Sequence, residues 1–121
     1  MKEKASIIIV DDDVGITDTL LDILSELGYD TAVTDNGYQA IEMIKKKSYD
    51  FALMDIKMPG MNGVETFKKV QEINPKTKVI MMTAYAFNDL IKEALEIGAF
   101  DIIHKPLDIG KVVQIFEKET K

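Results

Sequence analysis

Polar side chains with reactive or metal-binding atoms stand at four places in this sequence, each at the end of a short apolar run. Asp11–Asp13 offer a row of carboxylates, Asp55 closes the run Phe51–Met54, Thr83 offers a hydroxyl and Lys105 offers an ammonium. If these runs are parallel strands of one sheet, the side chains that follow them meet at the same edge. Carboxylates that converge there repel one another, so the cluster calls for a positive counter-charge.

A divalent cation would supply that counter-charge. Ligand sets made only of oxygen favour Mg²⁺, which keeps several waters and takes one or two carboxylates directly. We expect Asp12 to be the best direct ligand and Asp11 to bind directly or through water. Asp55 would be a shared ligand, and the backbone carbonyl of Lys57 is available in the following turn.

A carboxylate beside Mg²⁺, with an ammonium and a hydroxyl nearby, is an arrangement for phosphoryl transfer. Asp55 would attack phosphorus in line and form an aspartyl-phosphate. The metal and Lys105 would neutralise the charge on the phosphoryl oxygens, and the Thr83 hydroxyl would donate a hydrogen bond. Ala84 is small and would leave the approach to Asp55 open.

The elements that must position these residues alternate regularly along the chain. Most of the strand-like runs are continuously apolar, which is typical of strands covered on both faces. They are Ile7–Val10, Thr31–Val33, Phe51–Met54, Val79–Met82 and Ile102–Ile103. Apolar residues at helical spacing lie between or after them, at Ile16–Leu27, Tyr38–Lys46, Val64–Ile73, Leu90–Ile97 and from Ile109 to Phe116. Asp13, Asn62 and Asp108 are candidate N-caps of the helices that follow them.

This alternation predicts an α/β fold in which a five-stranded parallel sheet is doubly wound, with helices on both faces. For five strands we expect the flavodoxin-like order 2-1-3-4-5, with a crevice at the carboxyl ends of strands 1 and 3. With 121 residues the chain is the size of one domain.

Composition excludes several function classes. The chain has no cysteine, so disulfides, thiolate metal sites and cysteine nucleophiles are ruled out. The formal net charge of -6 argues against direct binding to nucleic acid or to anionic membranes. The apolar run after the charged start, Met1–Lys4, is too short for a signal peptide or a membrane span, so we expect a cytoplasmic protein.

The four motifs together resemble the receiver domain of two-component response regulators. The resemblance covers Ile7 to Phe116 and rests on Val10-Asp11-Asp12, Met54 to Gly60, Met82-Thr83-Ala84 and Lys105-Pro106, in the family's order and spacing. It implies that Asp55 is the phosphoacceptor, that Asp11 and Asp12 form the metal pair, and that Thr83 and Lys105 are the switch hydroxyl and lysine. It also implies a cis Lys105–Pro106 peptide and a single receiver domain over residues 1–121, with a core of about 6–117.

By the same resemblance, a sensor histidine kinase or a histidine phosphotransfer protein would donate the phosphoryl group. Phosphorylation would change the surface formed by the fourth helix, fifth strand and fifth helix, roughly Phe87 to Lys118, which a downstream effector protein or domain could read. The chain would be a monomer or a weak phosphorylation-dependent dimer. It would be a signalling phosphoacceptor instead of an enzyme, with only its own phosphorylation and dephosphorylation chemistry.

Three positions depart from the family's usual pattern. Asn62 stands where receivers often carry Asp, and its amide can still cap a helix. Ile102 stands where the family has a coupled aromatic, and it cannot swing a ring inward behind Thr83. Lys57 and Tyr85 would flank the phosphoryl group, where they could obstruct a hydrolytic water.

Two other functions fit parts of the pattern. A Mg²⁺-dependent phosphohydrolase of the haloacid-dehalogenase type also forms an aspartyl-phosphate, and Asp11–Asp13 has its Asp-x-Asp spacing. That family, however, has Thr or Val where this chain has Gly15, and the chain is too short to include a substrate-selecting cap domain. A flavin-binding domain of the same topology conflicts with the aspartates, which would repel the cofactor phosphate.

Overall fold

A computed structural model describes residues 5–84 and 89–119 and shows strands and helices in strict alternation. The strands are β1 (Ser6–Val10), β2 (Asp30–Thr34), β3 (Phe51–Asp55), β4 (Lys78–Thr83) and β5 (Asp101–His104). The helices are α1 (Val14–Glu26), α2 (Gly37–Lys46), α3 (Gly63–Ile73), α4 (Asp89–Ile97) and α5 (Ile109–Glu119). The predicted alternation is confirmed.

The five strands form one parallel sheet in the order β2-β1-β3-β4-β5, as predicted. Successive residues of a strand point to opposite faces, so each inner strand contributes to two hydrophobic clusters. Ile8 and Met54 belong to the cluster that α2, α3 and α4 cover, whereas Ile9 and Leu53 belong to the cluster that α1 and α5 cover. Because both faces are buried, the strands read as continuous apolar runs.

Capping side chains fix where four of the helices begin, and at α5 the Asp108 carboxylate accepts a hydrogen bond from the Lys111 N–H, as predicted. The Asp13 carboxylate accepts hydrogen bonds from the backbone N–H groups of Gly15 and Ile16 and caps α1, as predicted. Asn36 caps α2, and Asn62 forms a reciprocal capping box with Glu65 at α3. These two amides place the first helical residue at the glycine that follows each of them, one position before the predicted start.

The C-terminal part of α5 is anchored at the amino ends of the strands. The Phe116 ring packs on Tyr29 and Phe51, with ring centroids 5.8 and 4.9 Å apart respectively. Lys78 Nζ lies 3.1 Å from Glu119 Oε1 and also faces the rings of Phe51 and Phe100. The last helix is therefore tied to the edge of the sheet opposite the predicted site.

Among the helices of residues 5–84 and 89–119, none has both the length and the apolar character needed to cross a membrane.

Candidate functional site

Asp55 is the last residue of β3 and its side chain is almost completely buried, with 7% of the residue exposed. β3 lies between β1 and β4, and the backbone N–H of Ile56 donates to the carbonyl of Met82. This hydrogen bond continues the β3–β4 pairing past Asp55 and fixes the direction in which the chain leaves the strand. The carboxylate therefore sits at the centre of the carboxyl edge of the sheet, where the order of the strands reverses.

Lys105 joins the two most buried carboxylates of the site. Its Nζ lies 2.9 Å from Asp11 Oδ2 and 3.3 Å from Asp55 Oδ2. The other Asp11 oxygen accepts a hydrogen bond of 2.9 Å from the backbone N–H of Asp13. Asp11 thus has both oxygens engaged, while Lys105 connects the ends of β1 and β3 to the segment that follows β5.

Burial and charge act in opposite directions on these groups. Burial, assisted by the neighbouring Asp11 carboxylate, raises the pKa of Asp55 to about 6, although Lys105 opposes the shift. Burial alone would lower the pKa of Lys105, but its hydrogen bond and charge interaction with Asp11, together with Asp55, raise it. The negative charge on Asp55 is therefore only partly compensated by the protein itself.

The donor set at this edge fits a hard divalent cation. Asp11, Asp12 and Asp55 each offer a carboxylate oxygen, and these oxygens lie within 4.8 Å of one another. Asp12 is exposed, whereas the other two are buried. A cation could therefore enter the site from the solvent, on the side of Asp12. The three carboxylates outnumber the single ammonium of Lys105, so the charge balance of the cluster favours an additional cation. The residues present are compatible with Mg²⁺.

Thr83 and Lys105 meet through the backbone. Thr83 is the last residue of β4 and is buried, and its carbonyl accepts a hydrogen bond of 2.7 Å from the N–H of Lys105. The Lys105–Pro106 peptide is cis, as expected. The predicted hydroxyl and ammonium residues therefore belong to neighbouring strand ends.

The sequence matches a family with this arrangement. The family model of the response regulator receiver domain matches residues 7–117. The chain belongs to this family. The receiver is 40% identical over 118 residues to the sporulation initiation phosphotransferase F of Bacillus subtilis, covering 98% of this chain and 94% of that protein.

Two further similarities concern a longer protein and a solved structure. The receiver is 42% identical over 110 residues to the transcriptional regulatory protein ZraR of Klebsiella oxytoca, and it spans 25% of that protein's length. The match covers 91% of the receiver itself. A CheY-like response regulator receiver domain protein from Methanospirillum hungatei superposes with a TM-score of 0.92 at 31% identity, over 98% of this chain and 94% of the other.

The positions that depart from the family's pattern have different surroundings in this receiver. Asn62 caps α3, as expected. Ile102 is half-buried and packs against the cluster under α2, α3 and α4. Lys57 is exposed in the loop after Asp55, while Tyr85 lies outside the described residues, as does Phe87 of the predicted output surface. His104, which the motifs leave without a role, is exposed on the edge strand.

Sequence reasoning missed a backbone contact directly behind Asp55. The N–H of Gly63 donates to the carbonyl of Ile56 at 2.7 Å. A methyl group added at Gly63 would overlap the Asp55 carbonyl oxygen and lie 2.9 Å from the Ile56 Cα. The only signal in the sequence was a glycine directly before the predicted helix Val64–Ile73. This glycine lets α3 press against the backbone of the candidate phosphoacceptor.

Proposed function

We propose that this receiver accepts a phosphoryl group on Asp55 from a phosphohistidine and uses it as a temporary signal. The observation that carries the proposal is the cluster of Asp11, Asp12 and Asp55 oxygens within 4.8 Å, closed on one side by the Lys105 ammonium. The donor would be a sensor histidine kinase or a histidine phosphotransfer protein. The proposal is supported by membership of the receiver family and by the position of Asp55 at the switch point of the sheet.

The chemistry is a displacement at phosphorus. An Asp55 carboxylate oxygen attacks, a new P–O bond forms, and the P–N bond to the donor imidazole breaks. The electron pair of that bond returns to the imidazole nitrogen, which takes up a proton from solvent. Hydrolysis ends the signal when a water oxygen bonds to phosphorus, the P–O bond to Asp55 breaks and inorganic phosphate leaves.

The side chains around Asp55 have separate roles in this proposal. Lys105 already contacts the Asp55 oxygen and would neutralise charge on the incoming phosphoryl group. The Thr83 hydroxyl would donate a hydrogen bond to a phosphoryl oxygen. Asp11 holds Lys105 at 2.9 Å and so orients the ammonium toward the reacting carboxylate.

Mg²⁺ would be held by Asp11, Asp12, Asp55 and the carbonyl of Lys57. When bound, the cation supplies positive charge for the phosphoryl oxygens and relieves the repulsion among the carboxylates. Asp12, the exposed member of the set, would be the best direct ligand.

The signal would leave the site through the segment that follows Lys105. A phosphoryl group shifts a conformational equilibrium only by as much as it favours one state over the other. Here that preference would arise from new contacts to Thr83 and Lys105, whose backbones are hydrogen-bonded to each other. The surface of α4, β5 and α5 would then change and be read by an effector protein or domain. The chain would act as a single receiver domain, residues 1–121 with a core of about 6–117, and as a monomer or weak phosphorylation-dependent dimer.

Incubation with acetyl phosphate tests the assignment. We expect wild type to gain one phosphoryl group when Mg²⁺ is present and none in EDTA, as measured by intact-protein mass spectrometry. Asp55→Ala should gain none, whereas Asp22→Ala, which changes an exposed aspartate on α1, should behave like wild type. Undiminished labelling of Asp55→Ala would rule out Asp55 as the phosphoacceptor.

A second measurement separates a signalling receiver from a phosphohydrolase. A receiver accumulates one phosphoryl group per chain and releases phosphate slowly from it. Continued turnover of a phosphate ester, with many phosphates released per chain, would favour the Mg²⁺-dependent phosphohydrolase instead.

A further inference from the structure

Tyr38 is one of the most exposed large apolar residues in the described part of the chain, with 59% of its surface accessible. It occupies the first turn of α2, where the Asn36 cap holds the helix start in place. Its ring lies against Gly60, which has a φ of +77° in the turn after Asp55. A methyl group added at Gly60 would be 3.3 Å from the ring atom Cε2 and 3.7 Å from the hydroxyl oxygen. The aromatic ring therefore occupies the space that a side chain at position 60 would need.

The residue before Tyr38 presses on the same region from the same helix. A methyl group added at Gly37 would overlap Thr66 Oγ1 and would lie 3.4 Å from the sulfur of Met61. Thr66 in turn donates a hydrogen bond of 2.9 Å to the carbonyl of Asn62. The N-terminus of α2 thus contacts the loop at Gly60 and Met61 and contacts the start of α3 through Thr66.

The inner side of this loop is fixed by backbone contacts. The β3–α3 loop, residues 56–62, begins next to Asp55, and its far end is closed by the hydrogen bond from Gly63 N–H to the Ile56 carbonyl. The loop is therefore held between the strand that carries Asp55 on one side and the N-terminus of α2 on the other.

We propose that Tyr38 is a positioning residue that clamps the β3–α3 loop and so holds the Lys57 carbonyl in place for Mg²⁺. Single exposed aromatic residues are common and need no special role. Tyr38 differs because its ring covers the turn at Gly60, the only part of the loop with a left-handed backbone conformation. Loss of the ring would remove its contact with that turn. The Mg²⁺ part of this inference rests on the proposed function, whereas the clamp does not.

Amide hydrogen exchange in EDTA tests the clamp without any metal. In Tyr38→Ala we expect the amides of residues 57, 58 and 60–62 to exchange about fivefold faster than in wild type, because local opening loses an aromatic contact. Amides of α5, on the opposite face of the sheet, should be unchanged. Tyr38→Phe keeps the ring and should stay within about twofold of wild type. Equal exchange of the amides of residues 57, 58 and 60–62 in wild type and Tyr38→Ala would overturn the clamp.

Mg²⁺ titration by calorimetry tests the second half. We expect Tyr38→Ala to weaken Mg²⁺ binding by about threefold or more, with recovery in Tyr38→Phe. Leu95→Ala, which removes a comparably exposed side chain on α4, should bind Mg²⁺ like wild type. A loosened loop with unchanged Mg²⁺ affinity would overturn the positioning role.

The two measurements also separate failure of this inference from failure of the proposed function. If wild type bound no Mg²⁺, or if binding were unaffected by Asp12→Asn, the metal site of the proposed function would fail. Hydrogen exchange in EDTA would still decide whether Tyr38 clamps the loop, because that measurement does not depend on the metal.

Discussion

At the scale of single residues, the site shows how one side-chain type acquires different properties. Asp11 and Asp55 are both buried aspartates within reach of Lys105. Asp11 also accepts a hydrogen bond from the backbone amide of Asp13. For Asp55, burial and the Asp11 charge dominate and raise its pKa. The charged form of Asp55 is therefore disfavoured in the metal-free protein, which is consistent with the proposed role of this carboxylate as a nucleophile that shares a cation.

This imbalance predicts that removing the Asp55 charge stabilises the metal-free protein. In EDTA at neutral pH, Asp55→Asn should unfold with a free energy about 1–2 kcal/mol higher than that of wild type, because like-charge repulsion and charge burial are relieved. Saturating Mg²⁺ should reduce the difference, since the cation stabilises wild type more. Urea denaturation measures both values. The exposed-site control Asp22→Asn should change stability by no more than about 0.5 kcal/mol.

Tyr29 gives a pH-dependent prediction away from the site. Burial, together with the nearby negative charge of Glu117, raises the pKa of the Tyr29 hydroxyl to about 12. The unfolded chain loses this proton near pH 10, so the native state binds more protons between about pH 10 and 12. Stability from this group is fully present below pH 10 and is lost as the pH rises through about 12.

The corresponding measurement compares wild type with Tyr29→Phe in urea at pH 8 and pH 11. Wild type should lose about 1 kcal/mol more than the phenylalanine variant over this interval, after allowance for solvent screening. Equal losses in the two proteins would show that Tyr29 ionises at its ordinary pKa in the native state.

At the scale of secondary-structure elements, α3 is the element most closely coupled to Asp55. Its capping box fixes the helix start, and Gly63 brings that start into contact with the backbone of Asp55 and Ile56. A residue with a side chain could not take the place of Gly63, because the space beyond its Cα is already filled by the Asp55 carbonyl oxygen.

Gly63→Ala should therefore be harmful although alanine favours helices. We expect it to lower the free energy of unfolding by about 2 kcal/mol or more, because the added methyl group forces backbone to move. It should also slow labelling by acetyl phosphate, since the displaced backbone carries Asp55.

Gly110→Ala is the matched control. It lies in the first turn of α5, where an added methyl group would meet only the Asp108 carboxylate, at 3.3 Å. We expect a change within about 1 kcal/mol of zero, set mainly by helix propensity and the reduced entropy of the unfolded chain. Similar destabilisation by both substitutions would contradict the specific contact at Gly63.

At the scale of the whole molecule, the sequence was sufficient to predict the strand order and to place Asp11, Asp55, Thr83 and Lys105 at one edge of the sheet. Continuous apolar runs alternating with helical patterns leave few possible topologies, and the right-handed crossover rule selects one of the common orders. The contact between Lys105 and Asp11 joins residues 94 positions apart, so the pattern predicted that they share an edge but not which oxygen the ammonium meets. Tyr38 gave no signal at all, because an aromatic residue in a helix pattern does not reveal the loop that it covers.

We expect the two hydrophobic clusters to unfold together, in one cooperative transition. They share the strands, since neighbouring residues such as Ile8 and Ile9 face opposite sides of β1. Loss of packing on one face therefore removes support from the strands that the other face needs. Phe67→Leu on one side and Phe116→Leu on the other should each cost about 1–2 kcal/mol and shift a single unfolding transition.

Methyl NMR signals can follow each cluster separately during urea denaturation, with Met54 reporting on one face and Leu24 on the other. In wild type and in each variant, the two reporters should give the same midpoint. This should hold for Phe67→Leu even though Phe67 packs in the first cluster and not in the second. A midpoint that moved for Met54 while Leu24 kept the wild-type value would mean that the faces unfold independently. Coincident midpoints would mean that a change in packing on one face also changes the stability of the strands whose ends hold Asp11, Asp55 and Thr83. This coupling is what a receiver needs if phosphorylation at the sheet edge is to alter a helical surface.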